Sequence, residues 1–295
     1  MKGLLRSGQL IVLIALLTSC MADIRTASIK KEGITPENQK KGRELLLKTR
    51  KKHGLDQLKQ HKTYQYTAHD SWKGFLGKVG KVWPEPELDL DFKYIPGTFE
   101  GKVQYLSGDV KGLSGGLQSW HYYEIDNSGK LEFKRTNKRI EFGIAAFQYF
   151  FEVLDRMPDV PILAYAGEQT VGNQSYEILF ATWHKAEPHK EHDQYLLYIN
   201  KETGYLDFLT YTIRDNYLPV SWFLHGTVKY ENLKIIDGIT VPFTQKVYLL
   251  GPHDEDKNLI HELSISDFKF DIFEPEELYP DKSLPRVGNS KEGKQ

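Results

Sequence analysis

Residues 138–156 carry apolar side chains at Ile140, Ile144, Phe147, Phe151 and Leu154. These spacings of three and four predict an amphipathic helix with an aromatic face. Phe142, Phe150 and Val153 widen that face, and Pro158 and Pro161 end the helix. Glu152 and Asp155 share one side of it and are expected to face water. A second helix is predicted from Thr35, a capping hydroxyl followed by Pro36 and Glu37, to about His53, with Gly54 as its stop. Its apolar face, at Leu45, Leu46 and Leu47, is narrow, so it must lie on something.

The rest of the chain reads as strands. Segments 62–69, 88–95, 102–106, 118–125 and 131–136 precede the aromatic helix. Segments 162–168, 175–183, 194–200, 205–214, 226–233, 240–250 and 259–271 follow it. Asp126-Asn127-Ser128-Gly129, Gly172-Asn173, Glu202-Thr203-Gly204 and Asp237-Gly238 are hairpin turns between neighbours. Links this short leave no room for parallel crossovers. The expected fold is therefore mainly β (α+β): a large curled antiparallel sheet or incomplete β-barrel, covered by one or two helices, as a single domain over 35–280. No repeat at a fixed period is visible, which argues against solenoids and propellers.

The two ends differ from this body. Lys2 and Arg6 precede an apolar run over residues 10–17, which is shorter than the roughly 20 residues a membrane span needs. A basic start, a short apolar run and small residues before a cut make a secretory signal over 1–19. Leu17-Thr18-Ser19-Cys20 resembles the bacterial lipobox, which implies cleavage before Cys20 and lipid attachment to it. Met21 follows, so the rule by which Asp retains a lipoprotein in the inner membrane does not apply. The resemblance implies the outer membrane, facing the periplasm. Residues 20–34 read as a tether, and 281–295, with Pro, Gly, Ser and charges, as a disordered tail.

Composition adds three limits. Cys20 is the only cysteine, so no intramolecular disulfide can form. A net charge of -1 gives no reason to expect nucleic acid as a partner. Seventeen Tyr and fifteen Phe favour strands and imply a substantial apolar interior.

The stretch 194–248 resembles the periplasmic lipoprotein carriers and receptors of the LolA, LolB and LppX kind. The features that carry the likeness are Tyr195-Leu196-Leu197-Tyr198-Ile199 before Glu202-Thr203-Gly204, then Val228-Lys229-Tyr230-Glu231-Asn232, then Ile236-Asp237-Gly238-Ile239-Thr240-Val241-Pro242. The opening helix with Gly54 and the strand at Tyr64-Gln65-Tyr66 fit the same layout. The resemblance implies an incomplete barrel whose concave face holds acyl chains beneath helical lids. Phe142, Phe147, Phe150 and Phe151 are the candidates to line that space, with ordinary core packing as the plain alternative. Trp72 and Phe75 are the candidates for a membrane-inserting loop.

Competing chemistry is sparse. His184, Glu187, His189, Glu191, His192 and Asp193 fall within ten residues, and His184, His189 and His192 are metal-ligand candidates, although a solvated polar turn is the default there. Gly112-Leu113-Ser114-Gly115-Gly116 matches the nucleophile string of serine hydrolases, but that string needs a strand-to-helix turn over a parallel sheet. No catalytic group is named and no cofactor is called for. The expected function is a membrane-anchored, noncatalytic binder of a lipid, an acyl chain or a lipidated protein. The alternatives are an envelope assembly lipoprotein that binds another protein and, third, a metal-dependent enzyme at the histidine loop.

Overall fold

The computed structural model describes residues 21–134, 136–214, 217, 223–252, 258–286 and 288. Cys20 and the signal segment lie outside the described residues. Among those described, thirteen strands form one sheet: β1 (Tyr64–Trp72), β2 (Glu87–Tyr94), β3 (Gly101–Tyr105), β4 (Ser114–Gln118), β5 (His121–Ile125), β6 (Leu131–Phe133), β7 (Ile162–Val171), β8 (Gln174–Thr182), β9 (Gln194–Asn200), β10 (Leu206–Thr212), β11 (His225–Ile236), β12 (Ile239–Leu249) and β13 (Leu259–Phe270). Four α-helices accompany them among the described residues: α1 (Ala27–Glu32), α2 (Pro36–Lys52), α3 (Gly74–Gly80) and α4 (Lys138–Arg156).

Two antiparallel meanders, β6 back to β1 and β13 back to β7, are joined where the first strand pairs with the last, Tyr64 opposite Phe270 and Trp72 opposite His261. The outer strands are thus β6 and β7, consecutive in the chain, and α4 is what connects them. A flat sheet of this size would be about 58 Å wide at ~4.8 Å per strand gap. The helix is about 28 Å long at 1.5 Å per residue. The sheet therefore curls around α4, and it is left open between β6 and β7 rather than closed into a barrel.

Alternation along β1 shows which face is inside. Tyr64, Tyr66, Ala68 and Asp70 are buried, while Gln65, Thr67 and His69 point outward. Strand β9, by contrast, is buried at every residue because the outer face there is also covered. Ile24 and Ile29 pack with Ala166, Ile178, Phe180 and Leu196 in a second cluster on that face. Thr26 caps α1 and donates its hydroxyl to Ala166 O at 2.8 Å. Part of the segment read as a tether is thus docked on the sheet. At the other end Asp281 N donates to Gln118 Oε1 at 3.0 Å, and Ser119 Oγ donates to Pro285 O, so the first residues beyond 280 lie against the β4–β5 turn.

Helix α2 begins as expected, with a reciprocal capping box between Thr35 and Asn38. It lies so close to β7 that a Cβ at Gly42 would stand 2.7 Å from Tyr165 N. Gly54, at φ +72°, ends it in the left-handed region and abuts the β11–β12 turn, where a Cβ would meet Gly238 O at 1.9 Å.

One expected strand is divided. Segment 118–125 turns at Ser119 and Trp120, with φ values of 50° and 64°, and Gln118 pairs with His121 across the hairpin. Ser114 begins β4 in this antiparallel arm and sits on no strand-to-helix turn, so the serine-nucleophile geometry is absent there.

Candidate functional site

The space enclosed by the sheet is filled mainly by one face of α4. Ile140, Ile144, Phe147, Phe151 and Leu154 are all buried, as their spacing predicts. Phe147 packs against Trp83, Phe92 and His261 with ring centroids 5.2, 5.4 and 5.4 Å away. Phe151 sits between Tyr64 at 4.9 Å and Phe268 at 5.2 Å. Phe150 and Phe142 are only partly buried, Phe150 lying 4.8 Å from Tyr211 and Phe142 lying 5.2 Å from Tyr217. The four phenylalanines therefore spread along the helix rather than converge on one void. A pocket of about 20 Å³ lies beside the C-terminal half of α4, lined among others by His53, Leu55, Phe150, Phe151 and Tyr230. That volume holds about one water and no acyl chain.

The end of α4 nearest this pocket is fixed by a buried polar knot. Glu152, expected at the surface, is fully buried. Its Oε1 accepts from Tyr64 Oη and Gln148 Nε2, both at 2.9 Å, and its Oε2 accepts from Gly97 N at 3.1 Å and Arg156 Nη2 at 2.7 Å. Burial raises its pKa, against the pull of Arg156 and the other donors. Arg156 also donates to Thr98 O, and Gln148 donates to Ile95 O at 2.8 Å, which ties the β2–β3 loop to the helix. Asp155 is no more solvated, since its side chain is 8% exposed and pairs with Arg50 of α2. Neither carboxylate faces water as expected: Gln148 and Arg156 bond Glu152 from within the helix, while Tyr64, Gly97 and, for Asp155, Arg50 reach them from distant parts of the chain.

At the opposite end Ile140 and Ile144 are buried and Tyr94 Oη donates to Ile144 O at 3.0 Å, but the charged contacts are exposed. Asn137 caps α4, and the exposed Arg139 donates to the carbonyls of Val79 at 3.1 Å and Lys81 at 2.7 Å. Between the two ends a buried pair, Asp70 Oδ2 and His261 Nε2 at 2.6 Å, lies under the helix. Trp72 stacks on His261 with centroids 4.3 Å apart, and so faces inward as a packed side chain. Asp70 Oδ1 meets no hydrogen-bond partner among the described residues. His53, at the pocket, accepts from Leu206 N at 3.1 Å, and burial lowers its pKa to about 4.

Phe75 is the other loop candidate, and it is 80% exposed on α3, beside Leu76 and Val79 at 57% and 47%. Helix α3 stands at the end of the sheet where α4 begins: Lys73 N donates to Ile260 O at 2.8 Å, and Tyr217 Oη donates to Gly80 O. On the same rim, Arg214 Nη2 donates to Ala22 O at 2.7 Å where the chain arrives from Cys20. The histidine candidates are also here, on the loop between β8 and β9. The rings of His184, His189 and His192 are mutually adjacent, with centroids 5.1 to 6.3 Å apart.

No family model and no curated protein matches this chain. Solved structures do share its fold. A DUF1329 family protein from Desulfovibrio piger superposes with a TM-score of 0.53 at 14% identity, over 83% of this chain and 98% of that one. A domain named for outer membrane lipoprotein sorting, from Vibrio parahaemolyticus, gives 0.50 at 14% identity, over 82% of this chain and 97% of its own. A LolA superfamily protein from Nitrosomonas europaea gives 0.48 at 13% identity, over 82% and 99%. The large curled antiparallel sheet or incomplete barrel expected from the strands and their short turns is the architecture observed, open between β6 and β7.

Proposed function

We propose that this chain is a membrane-tethered, noncatalytic envelope protein that takes up a lipid, an acyl chain or a lipidated protein between α4 and the inner face of the sheet. The observation that carries this reading is the placement of α4. It crosses the open side of an apolar half-barrel, knotted to the sheet by buried charge at Glu152 and joined at its other end by the exposed Arg139. A helix held in this way acts as a lid, and the surfaces it separates are the ones a hydrocarbon chain would occupy. Affinity comes from apolar burial, about 0.8 kcal/mol per methylene. Phe142, Phe147, Phe150 and Phe151 line the opened space in this account.

Attachment through lipid on Cys20 puts the rim bearing α3 nearest the outer membrane on its periplasmic side. Phe75, Leu76 and Val79, with Phe223 and Leu250 at 48% and 50% exposure, then face the bilayer interface, where apolar side chains gain by partial insertion. Among the described residues no helix is long and apolar enough to cross a membrane, so the tether is the attachment this reading uses.

The small pocket favours a second reading, in which the interior is permanently filled and an outer surface binds another envelope protein. One experiment separates the two. Residues from Met21 onward are produced in the periplasm, purified without detergent, and weighed by native and denaturing mass spectrometry with lipid extraction. Stoichiometric acyl chains lost on denaturation are expected. A clean apo mass, unchanged when fatty acid or phospholipid is added, would sink the lipid-binding reading in favour of the protein-binding one.

A further inference from the structure

We propose that the loop between β8 and β9 is a binding site for a divalent transition metal of the zinc type, with His184, His189, Glu191 and His192 as its ligands. The inference stands apart from the lipid reading and survives its failure. One ligand atom from each of His189, Glu191 and His192 lies within 4.8 Å of the others. Zinc bound at about 2.0–2.2 Å in a tetrahedron spaces its ligand atoms about 3.4 Å apart. The cluster therefore needs to contract by little more than an ångström, which side-chain torsions on a surface loop supply. His184 lies beside this trio, its ring 5.4 Å from that of His189 and 6.3 Å from that of His192, and turning its ring inward would supply the fourth ligand. Three imidazoles and a carboxylate are borderline donors that suit zinc, nickel or copper rather than calcium or magnesium.

The loop is braced for this. At its base Thr182 Oγ1 donates to Asp193 O at 2.7 Å, and Gln194 Nε2 donates to Ala186 O at 2.8 Å. His184 holds a left-handed backbone, φ 68°, which is uncommon for a side-chain-bearing residue and turns the chain back toward His189. His189 Nδ1 accepts the Glu191 N–H at 3.0 Å. The ion either takes Nδ1 in place of that N–H, or takes Nε2 after the ring changes tautomer.

The site also touches the anchored end of the chain. Arg25 donates to Glu187 Oε1 at 3.2 Å, and Ile24 N donates to Gln194 Oε1 at 3.1 Å. A bound ion would therefore stiffen the place where the lipid tether meets the domain.

The test uses the untagged full-length chain in detergent micelles, stripped with chelator. Zinc chloride is titrated by calorimetry, and cobalt(II) is added to read its visible spectrum. The expected result is one zinc per chain and the intense bands of tetrahedral cobalt. His189→Ala and His192→Ala should each weaken zinc by about tenfold or more, with smaller losses for His184→Ala and Glu191→Gln. Matched circular dichroism and Tm without metal show that the variants fold. Absence of stoichiometric zinc in the parent chain would overturn the proposal, as would unchanged affinity in the His189→Ala/His192→Ala double variant.

Discussion

The two ends of α4 meet the sheet in different ways. The C-terminal end buries a carboxylate and a guanidinium whose knot reaches β1 and the β2–β3 loop, while Asp155 pairs separately with Arg50 of α2. The N-terminal end buries Ile140 and Ile144 and takes a buried bond from Tyr94 Oη to Ile144 O, but its charged groups, Arg139 on two carbonyls and Glu141 on Thr136 and Asn137, lie nearer solvent. Buried charge is costly to break once one partner is lost, whereas exposed hydrogen bonds exchange readily with water. On the proposed reading, the first end would act as a pivot and the second as a gate, beside the rim that bears Phe75.

Breaking the pivot should have the largest effect. Glu152→Ala leaves Arg156 buried without its carboxylate and is expected to cost about 3–5 kcal/mol, read as a lower urea midpoint. Next comes Phe151→Ala, expected to cost about 3 kcal/mol or more, because the lost ring leaves the adjoining pocket enlarged. If the enlarged space is usable, this variant should also take up fatty acid more readily than the parent at equal folded fraction.

A pH titration probes the same end. The pKa of buried His53 is lowered to about 4 from an ordinary 6.5. Below about 6.5 the unfolded chain binds a proton that the folded chain refuses, so stability falls with pH until the folded ring also titrates near 4. The full span is worth up to about 3 kcal/mol. His53→Gln should flatten that part of the stability profile. The smallest stability effect belongs to the gate: Arg139→Ala should change stability by no more than about 0.5 kcal/mol. It should nevertheless speed uptake of an apolar fluorescent probe, and an unchanged uptake rate would remove Arg139 from the gating account.

Much of this was legible in the sequence where the signal was local. The period of three and four along α4, the capping residues of α2 and the turn at Asp237-Gly238 each lie within a few residues of one another, and each appears where expected. Burial of Glu152 was not legible, because Gln148 and Arg156 at four residues' distance could equally flank an exposed carboxylate, and the deciding donors Tyr64 and Gly97 lie 88 and 55 residues away. The Ser119-Trp120 hairpin was missed because both residues take positive φ without the glycine or asparagine that usually announces such a turn. Helix α3 was missed because it is short, glycine-rich and has no capping side chain. Ile24 and Ile29 were read as tether since two apolar residues in a polar run set no period, and only the sheet face they cover explains them. Within the candidate site, the burial of Phe147 and Phe151 followed from periodicity, but the near absence of free volume around them depends on packing across the whole sheet.

The most direct test of the pivot and gate is amide hydrogen exchange along α4, followed by mass spectrometry with and without fatty acid. Amides of residues 139–145 are expected to exchange faster than those of 148–156 in the lipid-free chain, and fatty acid to alter exchange along the whole helix. Uniform protection from end to end, unmoved by fatty acid at concentrations that saturate carriers, would contradict the pivot and gate.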